Sequence, residues 1–342
     1  MTDTSGLTDR HIGLAHGNGG RLMRELIERL FARYLANPHL DVTCDAVPVP
    51  LDPGAAEVVL TTDGFTVEPL EFPGGNIGSL AVHGTVNDLA VSGAEPKYLT
   101  ANAFIEEGFA VATLERIIAE MAAAAREAGA AVVAGDTKVV RRGEGGGIYL
   151  ATTGLGVRPP GIRLGMPQIR PGDRVLVSGP VGDHGAAVML ACEQFGLRGE
   201  LLSDCASVLP VTRALLAVPG LHFMRDPTRG GLATVAAEIC RATGLTVRLD
   251  ETALPVRDPV RAVCELLGYD PLYLACEGRV VAVVEAGSAD SALAAMQAVE
   301  QAGEAAIIGR IESGRAVAVL ETELGGERIL EELEDDPLPR IC

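Results

Sequence analysis

Apolar residues recur at helical spacing near the start of the chain. Between Leu22 and Leu35 they follow i, i+3, i+4 and i+7 steps, and the pair Asn37-Pro38 comes directly after them. This spacing predicts an amphipathic helix, and the Asn-Pro pair predicts its end. The residues before the helix are polar and rich in glycine.

Two longer regions then alternate between strand and helix patterns. The first predicts strands at 57–62, 98–105, 131–134 and 147–157 with helices at 77–91 and 111–128, which is typical of an α+β domain. The second predicts strands at 174–178, 244–249, 280–285, 305–311 and 316–320 with helices at 184–195, 210–217, 229–242, 258–267 and 288–302. That order is broadly α/β.

Proline, glycine and charge mark the boundaries between these regions. Residues 157–173 contain four prolines and three glycines, as expected of a linker. The last twelve residues begin with five acidic side chains in six positions, which favours an extended tail. We therefore expect a glycine-rich segment and helix at 1–40, an N-terminal domain at 41–160, a C-terminal domain at 170–330 and a mobile tail at 331–342.

Charge and composition narrow the classes of partner. Hydrophobic residues make up 48% of the chain, and the net charge is −18. Such an acidic chain is not expected to bind nucleic acid or an anionic membrane, although it can bind ATP if Mg²⁺ brings the positive charge. Without a signal peptide or a long apolar stretch, we expect a cytoplasmic protein. Seven cysteines without a C-x-x-C pair argue against zinc, and their odd number indicates a reducing compartment.

Four aspartates mark the places where chemistry is expected. Asp63, Asp88, Asp136 and Asp226 lie where apolar segments turn into loops, or on a predicted helix. Carboxylates at such positions can converge on Mg²⁺. Any one of them alone is a weak signal, because an Asp before Gly is commonly a turn residue and Asp226 could be a helix N-cap. Neither a P-loop nor a Rossmann glycine pattern is present, so nucleotide binding would need this less common arrangement.

Other side chains have both a chemical and an ordinary interpretation. Lys138 could contact phosphate, act as a base, or be a solvated surface lysine. Arg229 and Gly230 open a predicted helix whose free N–H groups would suit an anion. Glu277 is a candidate base or a turn carboxylate. Cys342 is an unpaired thiol on the tail, either reactive or incidental.

Several segments, taken together and in order, resemble the HypE family of hydrogenase maturation factors. This family belongs to the superfamily that includes aminoimidazole ribonucleotide synthetase. The segments span essentially the whole chain, and the terminal PRIC is specific to HypE. They are LAHGNGGRLMRELI, TTDGFTVEPLEFPGGNIGSLAVHGTVNDLAVSGAEP, AGDTKV, RDPTRGGLATV, ACEGR and PRIC.

The resemblance implies a two-domain PurM-like fold, in which an α+β N-terminal domain forms the interface of a homodimer and an α/β domain follows. It also implies that a HypF-type carbamoyltransferase loads Cys342 with a carbamoyl group. ATP then drives dehydration of the S-carboxamide to a thiocyanate. The cyanide passes to iron on a HypC–HypD scaffold, for [NiFe]-hydrogenase.

The same resemblance assigns roles to individual residues. The expected catalytic residues are Cys342, Lys138 and Glu277, with the base left open between Lys138 and Glu277. The expected magnesium ligands are Asp63, Asp88 and Asp226. The expected nucleotide-binding residues are Asp63, Asn87, Asp88, Asp136, Thr137, Gly19, Gly20, Arg229 and Gly230.

Two alternatives remain at this point. One is another ATP-using kinase or synthetase of the superfamily, such as a thiamine-monophosphate kinase or a selenophosphate synthetase. The latter relies on a Cys or selenocysteine in its glycine-rich N-terminal segment, whereas the first cysteine here is Cys44. The other alternative is a non-catalytic carrier that only presents Cys342. The aspartate set argues against it, because a carrier needs no metal site.

Overall fold

A computed structural model describes residues 9–17, 21–40, 54, 56–192 and 200–331. Gly19, Gly20, Cys44 and the tail with Cys342 lie outside these residues. Within them, no helix is both long and apolar enough to cross a membrane.

The described residues form helices and strands whose bounds follow. The α-helices are α1 (Arg21–Leu26), α2 (Ala32–Tyr34), α3 (Ile77–Val91), α4 (Val111–Glu127), α5 (Asp183–Ala191), α6 (Leu209–Leu216), α7 (Gly231–Thr243), α8 (Asp258–Leu267) and α9 (Ala289–Gln297). A π-helical turn (Ile27–Phe31) joins α1 to α2. The strands are β1 (Glu57–Phe65), β2 (Glu71–Phe72), β3 (Gly75–Asn76), β4 (Glu95–Glu106), β5 (Ala131–Val140), β6 (Ile148–Arg158), β7 (Arg174–Val177), β8 (Leu221–Arg225), β9 (Thr246–Asp250), β10 (Val281–Val284), β11 (Ala306–Glu312), β12 (Ala318–Glu321) and β13 (Glu327–Leu330).

The first sheet has four strands in the order β1-β6-β4-β5, with β4 and β5 parallel and the other pairs antiparallel. Helix α3 packs on one face, where Thr152 of β6 donates a hydrogen bond to the carbonyl oxygen of Ala81. On the opposite face, which we call the outer face, Val58, Leu60 and Phe104 are exposed. The central strand β6 accordingly alternates between buried and partly accessible side chains.

The second sheet has seven strands in the order β13-β12-β9-β11-β7-β10-β8. Its apolar side chains contribute to two core clusters, one of which continues into the first domain through α3 and α6. The two domains therefore share a hydrophobic contact surface, and α3 is the element of the first domain that lies on it.

The predicted helix at 77–91 agrees with α3, and the predicted amphipathic helix is a continuous helical segment with a π-helical turn. Two strand predictions were too short, because β1 continues to Phe65 and β5 continues to Val140. Asp63 and Asp136 therefore lie inside strands and not after them. Both strands are sheet edges, where polar side chains are compatible with strand pairing.

Candidate active site

Three carboxylates from separate elements lie near one another, and we call them the acidic cluster: Asp63, Asp88 and Asp226. Asp63 is on β1, opposite Thr152, and so points toward the α3 side of the sheet. Asp88 is on α3 and accepts a hydrogen bond from the hydroxyl of Thr61, 2.7 Å away. Asp226 follows β8 and is 6% exposed. Both domains therefore contribute to the cluster.

The acidic cluster has an excess of negative charge. Burial, together with the charges of Asp88 and Asp63, raises the pKa of Asp226 to about 7. Burial also raises the pKa of Asp88, where the charge of Asp63 acts in the same direction and the Thr61 hydrogen bond opposes it. Like charges held together in a partly buried place favour either protonation or a bound cation.

The donor set fits a hard cation only in part. Carboxylate oxygens are the ligands that Mg²⁺ prefers, and this ion commonly takes one or two carboxylates together with substrate phosphates. Across the residues that the structure describes, no group of three or more His, Cys, Asp or Glu side chains is placed so that it could hold a metal ion by itself. A magnesium ion at the acidic cluster would therefore need oxygen ligands from a bound phosphate.

Glu277 is a buried carboxyl next to the acidic cluster. The main-chain N–H of Cys276 donates to the carbonyl oxygen of Pro227, 3.0 Å away, so Glu277 lies beside the segment that carries Asp226. Glu277 is 2% exposed, and its Oε1 has no hydrogen-bond partner among the described residues. Burial raises the pKa of Glu277 well above its usual value, and the charge of Asp226 adds to this effect. A raised proton affinity makes this carboxyl a stronger base when it is ionised.

Asn87 differs from its expected role as a nucleotide-binding residue. Its Nδ2 donates to the carbonyl oxygens of Ala206 and Glu277, both at 3.0 Å, and its Oδ1 accepts from the N–H of Val208 at 2.9 Å. Both amide hydrogens are used, and the side chain is 1% exposed. The geometry favours a role in joining α3 to the second domain.

Asp136, Thr137 and Lys138 form a separate group on β5. The Nζ of Lys138 lies 2.8 Å from a carboxylate oxygen of Asp136, and both side chains are about half exposed. The hydrogen bond from Lys138 lowers the pKa of Asp136. Thr137 is buried and points to the other face of the strand. In register with Phe104, Lys138 lies on the outer face of the first sheet.

Within one chain, the β5 group and the acidic cluster are well apart. β1 and β5 are the two edges of the first sheet, so three strand intervals, about 14 Å, separate them. Asp136 lies next to a groove between the N-terminal helical segment and β5, lined by Ile27, Phe31 and Leu35 among others. The structure thus does not bring Lys138 and Glu277 together in one chain.

The loop before α7 carries two further candidates. Helix α7 begins at Gly231 and not at residue 229, and Gly230 is its N-cap with a φ of +71°. A Cβ on Gly230 would collide with the side chain of Thr234, so only glycine fits there. Arg229 is exposed beside this loop. Gly19, Gly20 and Cys342 lie outside the described residues, so their expected roles stay predictions.

The sequence interpretation missed two residues near this site, Thr61 and Asp204. Thr61 hydrogen-bonds to Asp88, as described above. Asp204 accepts a hydrogen bond at its Oδ1 from the N–H of Glu277, 3.1 Å away. Asp204 follows the apolar pair Leu201-Leu202, so the signal used for the other aspartates was available for it.

Known proteins match both domains of the chain. The N-terminal domain of the AIR synthase related proteins matches residues 44–158, and their C-terminal domain matches residues 170–321. The carbamoyl dehydratase HypE of Azotobacter vinelandii is 49% identical over 338 residues, which are 98% of each chain.

Two solved structures extend the comparison. The crystal structure of the hydrogenase maturation protein HypE in complex with ATP has a TM-score of 0.91 and 43% identity, covering 96% of this chain and 99% of that one. HypE in its complex with HypF has a TM-score of 0.78 and 42% identity, covering 90% and 99%. With such identity over nearly its whole length, this chain belongs to the HypE family of carbamoyl dehydratases and has their two-domain PurM-like fold.

Proposed function

We propose that this chain is an ATP-dependent carbamoyl dehydratase that converts an S-carboxamide on Cys342 into a thiocyanate. The observation that carries the proposal is the position of Glu277. Its buried, unpartnered Oε1 lies next to the acidic cluster. A proton acceptor is therefore beside carboxylates that could bind Mg²⁺ and, through the ion, phosphate. The relative solved with ATP supports the choice of nucleotide.

The reaction needs both phosphate transfer and proton removal. The amide oxygen is a poor leaving group, so it first attacks the γ-phosphorus of ATP and ADP leaves. One N–H proton is lost as the O-phosphorylated imidate forms. Loss of the second N–H proton then expels phosphate, and the C≡N bond remains on sulfur. Overall the carbamoyl group loses one water, which appears in the phosphate.

The residues of the chain divide these tasks. Asp63, Asp88 and Asp226 would hold Mg²⁺ against the phosphates, where the ion offsets the charge on the transferring phosphoryl group. Glu277 is the better candidate for the base, because burial raises its proton affinity. Lys138 would then contact phosphate or the incoming amide from its own position on β5.

Lys138 also connects the proposal to a homodimer. It shares the outer face of the first sheet with the exposed side chains of Val58, Leu60 and Phe104. A second copy packed on this face would cover that apolar surface. Such a dimer would place Lys138 at the boundary between the two copies, where a tail from either copy could reach it.

The remaining partners follow from the family. A HypF-type carbamoyltransferase would load Cys342, as the solved HypE–HypF complex suggests, and a HypC–HypD scaffold would receive the cyanide. The five cysteines among the described residues are free thiols, which supports a reducing compartment such as the cytoplasm.

Mass spectrometry of the C-terminal peptide tests the proposal. Carbamoylated protein with Mg-ATP is expected to lose one water from this peptide, while Cys342→Ala accepts no carbamoyl group and Cys192→Ala behaves like the parent. ATP turnover with an unchanged peptide would indicate a kinase. A stable carbamoyl group without ATP turnover would indicate a passive carrier.

A further inference from the structure

Both main-chain polar groups of Glu277 are held by side chains from other parts of the fold. Its N–H donates to the Oδ1 of Asp204, 3.1 Å away, and its carbonyl oxygen accepts from the Nδ2 of Asn87 at 3.0 Å. We propose that Asn87 and Asp204 are positioning residues that fix Glu277 against the acidic cluster. This inference rests on the proposed function, because it takes Glu277 to be the base.

Glu277 needs such support because of its place in the fold. It lies in the connection that precedes β10, and connections are mobile unless side chains or ligands tie them down. Its own Oε1 has no partner within the described part of the chain. Without a bond at that oxygen, the position of its main chain contributes to the orientation of the carboxyl, and a shift of the main chain would move the carboxyl away from the reacting nitrogen.

Asn87 links this main chain to the first domain. The same side-chain amide also forms hydrogen bonds with the carbonyl oxygen of Ala206 and the N–H of Val208. It therefore joins three points of the second domain to α3. Asp88, the next residue on α3, belongs to the acidic cluster. A single turn of helix thus carries one carboxylate of the cluster and the amide that holds the base. This arrangement fixes the distance between them when the two domains meet.

Asp204 holds the other side of Glu277. Its side chain is fully buried, and its Oδ2 lies 3.4 Å from the Nε of Arg279 in an ion pair. A Cβ on Gly278 would collide with the carbonyl oxygen of Asp204, so the two segments pack backbone against backbone. Burial is the main cause of the raised pKa of Glu277, and the negative charges of Asp226 and then Asp204 add to it. Asp204 therefore has both a geometric and an electrostatic effect.

Single-turnover dehydration of the carbamoylated full-length protein separates these effects. Asn87→Ala is expected to lower the rate roughly a hundredfold, the size expected for a displaced catalytic group, with an unchanged Kd for Mg-ATP. Asp204→Ala is expected to slow the reaction in the same way. Asp204→Asn keeps an oxygen acceptor for the N–H of Glu277 but removes the charge. Its rate should approach that of the parent at high pH, while the midpoint of its pH profile moves to lower pH.

Several results would overturn the inference. A parallel loss of rate and Mg-ATP affinity in Asn87→Ala would assign Asn87 to the nucleotide, and an unchanged rate would remove its role. An Asp204→Asn profile that does not move would remove the electrostatic effect of Asp204. Gln297→Ala is the matched control, because it loses a hydrogen bond from the side-chain amide to the carbonyl oxygen of Ala305. If Asn87→Ala does not fold, the rates of the two Asp204 variants still test whether Glu277 needs its main chain held in place.

Glu277→Gln distinguishes failure of this inference from failure of the proposed base. An active Glu277→Gln enzyme would refute the base assignment itself. An inactive Glu277→Gln with normal rates in the Asn87 and Asp204 variants would refute only the positioning role.

Discussion

The hydroxyl of Thr61 on β1 donates a hydrogen bond to a carboxylate oxygen of Asp88 on α3, over 2.7 Å. Asp63, two residues further along β1, points to the same side of the sheet. This hydrogen bond opposes the rise in the pKa of Asp88 that burial causes. Thr61 therefore favours the ionised form of one carboxylate of the acidic cluster and orients it.

Replacing Thr61 by valine tests this role. Thr61→Val keeps the shape of the side chain but leaves Asp88 without its donor, and a hydrogen bond to a charged group contributes about 1.5–3 kcal/mol. We expect Mg-ATP to bind about tenfold more weakly in isothermal titration calorimetry. Thr212→Val loses a buried hydroxyl that donates a hydrogen bond to the carbonyl oxygen of Leu209, and it should bind Mg-ATP normally. Equal affinities in all three proteins would contradict the role of Thr61.

Asp226→Asn should affect stability and binding in opposite directions. Without a cation, Asp226 is buried beside two other carboxylates, so removing its charge relieves repulsion. We expect a higher Tm for the nucleotide-free variant than for the parent protein. Mg-ATP should raise the Tm of the parent but hardly that of the variant, because a ligand that binds only the folded state stabilises it. A lower Tm without nucleotide would show that Asp226 has a structural role.

Lys138→Met should reduce activity without unfolding the protein. Its ion pair with Asp136 is exposed, and such pairs contribute about 0–1 kcal/mol to stability. We expect dehydration to slow at least about tenfold, as for the loss of a group that stabilises transferring phosphate, with little change in Tm. The only other lysine, Lys97, is also exposed, so Lys97→Met is a matched control. Normal dehydration by Lys138→Met would exclude Lys138 from the reaction.

The sequence predicted the elements that hold the site better than it predicted the contacts between them. The apolar pattern of α3 was clear, because nearly all of its side chains are buried. The strands β1 and β5 were predicted too short, since Asp63 and Asp136 are polar side chains inside edge strands. A local pattern of hydrophobicity cannot distinguish a polar residue in a strand from one that follows it.

The partners of individual side chains depended on tertiary contacts. The bond between Asn87 and Glu277 spans 190 positions of the chain, and no local signal relates the two. The grouping of Lys138 with Glu277 came from the family resemblance, and sheet order places β5 at the edge opposite β1. Sequence spacing carries little information about such distances, because strand order follows from packing of the whole domain.

His83, in the middle of α3, is a buried histidine whose Nδ1 has no hydrogen-bond partner within the described residues. Burial lowers its pKa from 6.5 to about 4. The folded protein therefore binds fewer protons at this site than the unfolded chain. Its contribution to stability is complete above about pH 6.5 and is lost as the pH falls toward 4.

Urea unfolding at pH 7 and pH 5 measures this contribution. For these two pKa values, the free energy of unfolding should fall by about 2 kcal/mol between pH 7 and pH 5 because of His83 alone. His83→Leu replaces the ring with an apolar side chain that cannot bind a proton. This variant should therefore lose less stability than the parent over the same interval, by about that amount. If both proteins lost the same free energy, His83 would have to accept a proton in the folded state at pH 5, against the effect of its burial.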